Sequence, residues 1–581
     1  MTRKLVYVSF GYMGGLLIAA TAGGLTVPLT VGMLIVGAVL MLIKKIPPVY
    51  TAVIMTVCLS AAAGSVVYSV VNVPPQMGPA SFDGVVTEAD TEGVPFYIVR
   101  HDGQLTGIYI YGEYSLIRGD RIHVDGTLSV PKNESYMRSK GILAVMYSPE
   151  ITVIRKETGL FRWMDGLRHI SMSTIRYLGA GDAGEYIIGM LFGSRYWSIS
   201  SSALSDLYAA GAGHTAAVSG LHLSIAAMIA AAVAGNDRRL RFIAVMLTGA
   251  VIALAADLTV PVIRAYIMTA IVYGAGLSRR RSDPLNSLAI AVLVILIHSP
   301  LCVTGASFML SLSGTFGAAV LSPMAERELC RIKAEREGTE RMFTHIHPVL
   351  RSAVFILCTQ AAVLPASMVF FDQISAVSPI VNMLVIPLCA PALFFSYIGA
   401  AAGGAVSKLF FIFAVVIAKV ILWLCHIAAS IASPLPSGAI LPEMVVGGIL
   451  ACLAGAVGGK KTLLPTALST VSLIMIAGTV VYCTSLQAPQ AYIEDGYALI
   501  RTASGSAAID TGNDRYDLKR DAARYGLHPS AVLCTKGQAK KYASDFPDAD
   551  IYIIEGDTSC TIDGIAVHID GHDIQVDMTG A

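Results

Sequence analysis

Long apolar runs along this chain are interrupted by two stretches with a different rhythm. Leu5–Ala20, Thr26–Ile43 and Tyr50–Val71 are nearly continuous hydrophobic segments, and each predicts a membrane helix. From Gly78 to Ile154 the chain turns polar and alternates with period two. Phe82-Asp-Gly-Val-Val-Thr87, Phe96-Tyr-Ile-Val-Arg100, Gly107-Ile-Tyr-Ile-Tyr111 and Arg121-Ile-His-Val-Asp125 read as strands between Gly and Asp turns. About five short strands in this span predict a small Greek-key barrel, the OB type among them. Leu160–Leu178 sets Phe161, Trp163, Met164 and Leu167 beside Arg162, Arg168 and Arg176, the pattern of a helix lying in the membrane interface. Glu185–Phe192 predicts a second, shorter one.

The apolar rhythm then returns. A segment opens at Gly211 and runs to about Gly235. A hairpin follows, with Phe242–Ala256 leading out and Thr259–Leu277 leading back. Leu285–Ile297 and Leu301–Leu321 are further spans, and more lie between Ala353 and Val481. Pro365, Pro379, Pro387, Pro391 and Pro434 interrupt those last segments and predict broken or re-entrant helices. The expected fold is a polytopic α-helical membrane protein of about 10–12 spans, with an OB-like barrel and a short α/β tail. The expected domains are N-terminal membrane helices 1–72, barrel 78–154, interfacial helices 158–202, membrane core 203–485 and tail 488–581. Arg3-Lys4, Lys44-Lys45, Asn236–Arg241, Arg279–Arg281 and Lys460-Lys461 fall where cytoplasmic loops belong. That rule puts the N-terminus inside, and the barrel and tail outside, in a multi-pass membrane protein.

Composition agrees with this reading. Of 581 residues, 55% are hydrophobic and 14% charged, and the mean hydropathy is +0.65, far from soluble averages. A net charge of +1 excludes bulk attraction of a polyanion, so any such contact must be local. None of the 10 cysteines forms a CxxC pair or a zinc spacing. Eight lie in apolar segments or in the loop near Cys330, while Cys534 and Cys560 in the polar tail are open to pairing.

Chemistry concentrates in Gly211-Ala-Gly-His214-Thr-Ala-Ala-Val-Ser219-Gly220-Leu-His222-Leu-Ser224. Glycines, histidines and hydroxyls at membrane depth point to a path or site, because polar groups there are expensive. Gly and Ser also serve close helix packing, but packing does not call for two histidines. Arg264 lies in the returning helix seven residues after Asp257, on one face if the helix is continuous across Pro261. That arginine is expected either to pair with Asp257 or to face an anion path. In the barrel, Tyr109 and Tyr111 share a face and suit either base stacking or the core, the commoner role.

His214-Thr-Ala-Ala-Val-Ser-Gly-Leu-His222 resembles the signature of ComEC-type competence proteins, the inner-membrane channels of natural DNA uptake. The resemblance continues, in the family's order, at Pro261-Val-Ile-Arg-Ala-Tyr-Ile-Met268, Asp283-Pro-Leu-Asn286-Ser-Leu-Ala289, His298-Ser-Pro300, Ala306-Ser-Phe-Met-Leu-Ser311 and Ser378-Pro-Ile-Val-Asn382 through Pro387. It implies passage of a single DNA strand through the core, with an extracellular DNA receptor and a cytosolic ATP-driven motor as partners. The chain has no P-loop pattern of its own. Membrane lipid is a further partner, and a homo-oligomeric pore is left open. The residues expected to line the DNA path are His214, Ser219, Gly220, His222, Asp257, Arg264, Asn286 and Asn382.

The tail is similar in its opening strands, Ala491–Arg501 and Ala508–Gly512, to the metallo-β-lactamase-like domain of the family. A helix at Arg515–Tyr525 and a strand at Ala531–Cys534 are expected next. Where the metal-binding His/Asp run belongs, Thr535-Lys-Gly-Gln-Ala-Lys-Lys541 stands instead, which predicts a truncated domain without nuclease activity and no cofactor. His568, Asp570 and His572 alternate as ligands on one strand face would, although exposed polar strand positions are commoner. The chain is therefore expected to be a channel and not an enzyme. Two rivals stand beside it. One is a solute or lipid transporter with broken helices; the other is an intramembrane serine hydrolase built on Ser219 and His222.

Overall fold

The computed structural model of the chain describes residues 4–22, 48–90, 95–101, 103–110, 116–131, 134–279, 282–326, 340–371, 373–375, 377–431, 435–436, 490–494, 497–501, 506–511, 529–546, 549–554, 558–562, 565–570 and 573–577. Several expected features lie outside these residues: the run Thr26–Ile43 with Lys44-Lys45, Tyr111, Arg280-Arg281, Cys330, Pro434, Lys460-Lys461, the segment Arg515–Tyr525 and His572. Two compact units form, Met1–Ala362 with Val377–Ser430, and Val363–Ala376 with Ile431–Ala581.

The first unit opens with α1 (Lys4–Ala22) and α2 (Pro48–Val71). Their close packing follows from Gly11-x-x-x-Gly15, which leaves a flat stripe on α1. A Cβ at Gly15 would stand 1.8 Å from the Ala61 carbonyl oxygen, so the two backbones touch there. Ser65 Oγ donates to the Gly15 carbonyl at 3.0 Å, tying the pair further.

After α2 come β1 (Gly78–Asp90), β2 (Phe96–His101), β3 (Gln104–Tyr109), β4 (Arg121–Ser129), a short α3 (Glu134–Ser139), β5 (Ile142–Tyr147) and β6 (Glu150–Arg155). The strand order β1-β2-β3-β5-β4 closes on itself because β1 also pairs with β4, giving a closed five-stranded barrel with β6 added beside β4. One long strand serves both seams: Gly78–Val85 pairs with β4 and Val85–Asp90 with β2, with a register shift between Val86 and Glu88 that bends it. Period-two alternation fills the barrel with Tyr97, Val99, Ile108, Ile110, Ile122, Val124, Ala144 and Met146. The opposite face of the same strands packs Ile98 and Val145 against Met137 of α3, with Phe96 and Tyr109 alongside. Tyr109 thus stays out of the barrel interior, its ring 5.2 Å from Tyr147 in a parallel stack.

Helix α4 (Leu160–Tyr177) buries Met164, Arg168, Ser171 and Ile175, and exposes Leu160, Trp163, Ile170 and Tyr177 on other faces. Helix α5 (Asp182–Phe192) departs from expectation. Every residue but Asp182 and Glu185 is buried, so it is a core helix rather than an interfacial one. Then follow α6 (Ser201–Ala209), α7 (Gly220–Val233), α8 (Arg238–Ala255), α9 (Val260–Leu277), α10 (Pro284–His298), α11 (Ala306–Phe316), α12 (Glu340–Phe370), α13 (Ser378–Ala401) and α14 (Gly404–Ile431).

Among the described residues, five helices are long and apolar enough to cross a membrane: Val260–Leu277, Ala306–Glu326, Leu350–Phe370, Ser378–Ala401 and Gly404–Ile431. In α14, Ser407, Phe411, Ala414, Ala418, Ile421 and Cys425 form the buried stripe, yet Ile412, Val416, Val420 and Trp423 opposite are exposed. A helix apolar on both its packed and its exposed faces is built for hydrocarbon as solvent. Prolines do not break these helices as expected. Pro365 lies within α12, and Pro387 and Pro391 lie within α13, which runs through both. In a membrane bundle, neighbouring groups can re-satisfy the backbone that proline frees, so the helix need not end there.

The second unit carries β7 (Gln373–Ile374) paired with β8 (Leu435–Pro436). It also holds a sheet of β9 (Gln490–Glu494), β10 (Tyr497–Arg501), β11 (Ser506–Asp510), β12 (Ala531–Cys534) and β13 (Asp550–Ile553), in the order β13-β12-β11-β10-β9. The β11–β12 and β12–β13 pairs are parallel. Helix α15 (Ala539–Asp545) sets Tyr542 into the sheet's core, its hydroxyl donating to the Asp510 carboxylate. Cys534 keeps a free, buried thiol. The antiparallel β14 (Thr558–Ile562), β15 (Ile565–Asp570) and β16 (Asp573–Asp577) complete the unit.

The α1–α2 contact can be tested by volume. Gly15→Leu should cost about 1–3 kcal/mol of thermal stability in lipid nanodiscs. Gly14→Leu, where an added Cβ meets nothing within 4 Å, should be nearly silent. Equal effects at both positions would contradict the packing.

Candidate functional site

The stretch from Gly211 to Ser224 starts without regular helix. Gly211 has φ +70°, Gly213–Thr215 make one tight turn, and α7 begins only at Gly220. Its 14 residues span about 21 Å, short of the roughly 30 Å hydrocarbon core. The non-helical backbone before it is tied down by side chains from neighbouring helices. The Gly211 carbonyl accepts from Ser378 Oγ at 3.3 Å and Asn382 Nδ2 at 3.4 Å, and Tyr186 OH lies 2.7 Å from Thr215 Oγ1. Irregular backbone at membrane depth is tolerated where protein surrounds it or where it lines a cavity. His214 and Ala217 are exposed while Thr215, Ala216 and Val218 beside them are buried, so this segment turns one edge toward open space.

Ser219 and His222 are joined as a helix cap. His222 Nδ1 accepts the Ser219 backbone N–H at 3.2 Å and lies 3.0 Å from Ser219 Oγ. The Ser-x-x-His spacing makes this arrangement local, since residues at the N-cap and third helical positions face each other. His222 is fully buried, and the Tyr397 hydroxyl donates to its carbonyl at 3.4 Å.

Arg264 does not pair with Asp257. The helix is not continuous between them: α8 stops at Ala255, and Asp257 and Leu258 adopt φ +53° and +55° before α9 starts. Seven-residue spacing aligns side chains only within one unbroken helix, so the expected shared face does not exist. Asp257 instead accepts Arg168 Nη2 from α4 at 2.7 Å and the Tyr196 hydroxyl at 2.5 Å. Arg168 also donates to the Leu254 carbonyl at 3.0 Å and to Tyr196 at 2.6 Å.

With its expected acid taken, Arg264 has no carboxylate partner among the described residues. Its Nη1 donates to the Ser311 carbonyl and the Thr315 hydroxyl of α11, and its Nε is buried without a partner. Its Nη2 lies against Gly220, where an added Cβ would come within 3.3 Å. The guanidinium therefore sits at the start of α7, beside the cap formed by Ser219 and His222. Two positive features, the cation and the helix N-terminus, converge on one spot, an arrangement that attracts anions.

Of the sequence-predicted residues, Ser219, Gly220, His222 and Arg264 come together, and His214 and Asn382 adjoin them through the 211–219 loop. Asp257 serves the junction with Arg168. Asn286 sits in the first turn of α10, its N–H on Asp283 Oδ1 at 3.3 Å, with no bond to the 211–224 stretch among the described residues. Sequence reasoning missed Arg168 and Tyr196 as functional groups. Arg168 did carry a signal, an arginine in register with Met164 and Ile175 on the face that turned out to be buried. No cluster of metal-ligating residues occurs among the described residues. His572 and the side chains of His568 and Asp570 lie outside them.

Residues 190–459 match the family model described as Competence protein, a stretch that contains His214, Ser219, Gly220, His222, Arg264 and Asn382. No curated protein and no solved structure matches the chain.

The Arg168–Asp257 pair is buried on both sides, with side chains 9% and 7% exposed. Removing one partner strands the other charge, so Asp257→Ala should cost about 3–5 kcal/mol in thermal unfolding. The double variant Asp257→Leu with Arg168→Met should recover much of that loss. Additive losses would mean that the two charges do not depend on each other.

Proposed function

We propose that this chain, a competence protein of the ComEC type by its residues 190–459, is a membrane channel through which single-stranded DNA enters during natural transformation. The family supports a role in DNA uptake, and the five span-capable helices support a membrane protein. The channel reading rests on Arg264. A guanidinium in a membrane-crossing helix, held by a carbonyl and a hydroxyl instead of a carboxylate, keeps its charge for something else. A strand carries one negative charge per nucleotide, so it needs cations and donors along its path, yet none so tight that it stops. Arg264, the α7 N-terminus and the open edge at His214 offer that kind of weak attraction.

Other parts fit this role. The closed barrel with a parallel β3–β5 pair is best read as OB-type, and the basic loops favour a position outside the cell membrane. The tail sheet, with Lys536, Lys540 and Lys541 where metal ligands belong in the family's nuclease domain, is read as a metallo-β-lactamase-like remnant without catalysis. An extracellular DNA receptor and a cytosolic ATP-driven motor would deliver and pull the strand.

One observation favours an intramembrane serine hydrolase, the 3.0 Å approach of Ser219 Oγ to His222 Nδ1. The same nitrogen accepts the Ser219 N–H, and no carboxylate orients the imidazole among the described residues. A helix cap accounts for both bonds, and labelling by a serine-reactive phosphonate probe should be absent.

In a host lacking its own channel, this protein should restore uptake of labelled DNA. Arg264→Ala, inserted at equal level, should lower uptake about tenfold or more, the scale of one lost charged hydrogen bond. Arg264→Lys should retain part of it. Equal uptake by all three would remove Arg264 from the path.

A further inference from the structure

The loop before β4 holds Arg118 at the junction of barrel and membrane core, a place outside the matched residues 190–459. The loop is fixed from several sides. Asp120, 2% exposed, accepts the Ile117 N–H at 2.9 Å and the Glu157 N–H at 2.7 Å. Backbone bonds tie the same loop to β1, Val86 N–H to the Asp120 carbonyl and Gly119 N–H to the Val86 carbonyl. From this anchored position Arg118 Nη1 donates to the Asp257 backbone carbonyl at 3.1 Å, and its guanidinium lies 5.2 Å above the Phe161 ring.

The carboxylates nearest Arg118 are committed to other groups. Acting on it are two carboxylates, Asp257 and Glu88, and two further guanidiniums, Arg168 and Arg195. The carboxylates are already engaged: Asp257 binds Arg168 and Tyr196, and Glu88 binds Arg195 at 2.7 Å. Burial pulls the Arg118 guanidinium below its ordinary range, and the carboxylates offset this only in part. Arg118 bonds only a carbonyl among the described residues, and the residue is partly exposed. A half-buried cation on an anchored loop, bonded to a carbonyl rather than to a carboxylate, is suited to take an anion from outside.

We infer that Arg118 binds a backbone phosphate of single-stranded nucleic acid at the barrel–core junction, where the strand passes from barrel to membrane. This site rests on the proposed channel reading and adds to it a first phosphate contact ahead of Arg264. The shared chemistry, a phosphodiester oxygen on a guanidinium, also occurs in phospholipid headgroups. A nucleic acid is favoured because Arg118 is carried by the barrel loop and bonded to the turn that opens α9, linking the two bodies a strand would traverse.

The test is a salt titration of fluorescent oligothymidine binding to the full chain in phosphatidylcholine nanodiscs. Neutralising one phosphate fewer on a single strand should reduce the slope of log K against log salt by about 0.7. Arg118→Gln should bind several-fold more weakly with that smaller slope, while Arg118→Lys, which keeps the charge, should hold the wild-type slope. Wild-type slope in Arg118→Gln would overturn the site and leave the channel reading standing. A change that appears only in phosphatidylglycerol discs would assign the residue to lipid headgroups and also overturn it. Absence of oligonucleotide binding by the wild-type chain would overturn both the site and the reading beneath it.

Discussion

Asp257 offers two carboxylate oxygens and a carbonyl, and partners from three separate segments take them. Arg168 reaches in from the amphipathic helix α4, Tyr196 from the loop after α5, and Arg118 from the barrel. The turn itself is held in left-handed backbone at Asp257 and Leu258, a conformation that non-glycine residues adopt at a cost. Such a turn persists where its surroundings over-determine it, and here they do. Barrel, amphipathic helix and the α8–α9 hairpin all converge on this one residue.

That convergence decides the electrostatics of the core. An acid committed to Arg168 cannot neutralise Arg264, so the membrane helix α9 carries a cation whose protein partners are uncharged. Beside it the first turn of α7 opens at Gly220, where the lack of a side chain leaves the guanidinium close to the backbone. On the proposed reading, Arg118 at the junction and Arg264 farther along give a strand successive weak attractions. Weak, repeated contacts suit passage better than one strong site does.

Much of this was legible in the sequence where the determining interactions are local. Period-two alternation in Tyr97, Val99, Ile108 and Ile110 specified barrel strands, and Ser219 with His222 three residues on specified a neighbourhood of side chains. The polar residues of an apolar segment marked the site stretch. What stayed hidden depends on long-range partners or on chain breaks. Arg168 lies 89 positions from Asp257, and no spacing rule joins them. A shared face for Asp257 and Arg264 required one continuous helix, and the chain breaks at 256–259. Prolines misled in the opposite direction: Pro387 and Pro391 predicted interruptions, but a helix packed within a bundle tolerates them. Helix α5 was expected to be interfacial, whereas it is buried in one core with residues of α13 and α14 far along the chain.

If the chain is a channel, a DNA strand passes the open edge of the 211–219 loop. A photo-crosslinking amino acid in place of Ala217, which is exposed on that edge, would read this directly during uptake of labelled DNA. A control at Val416, exposed on the apolar face of α14, samples lipid. The expected result is covalent capture of the strand at 217 and none at 416. Uptake that proceeds without capture at 217, or with equal capture at both positions, would contradict that path.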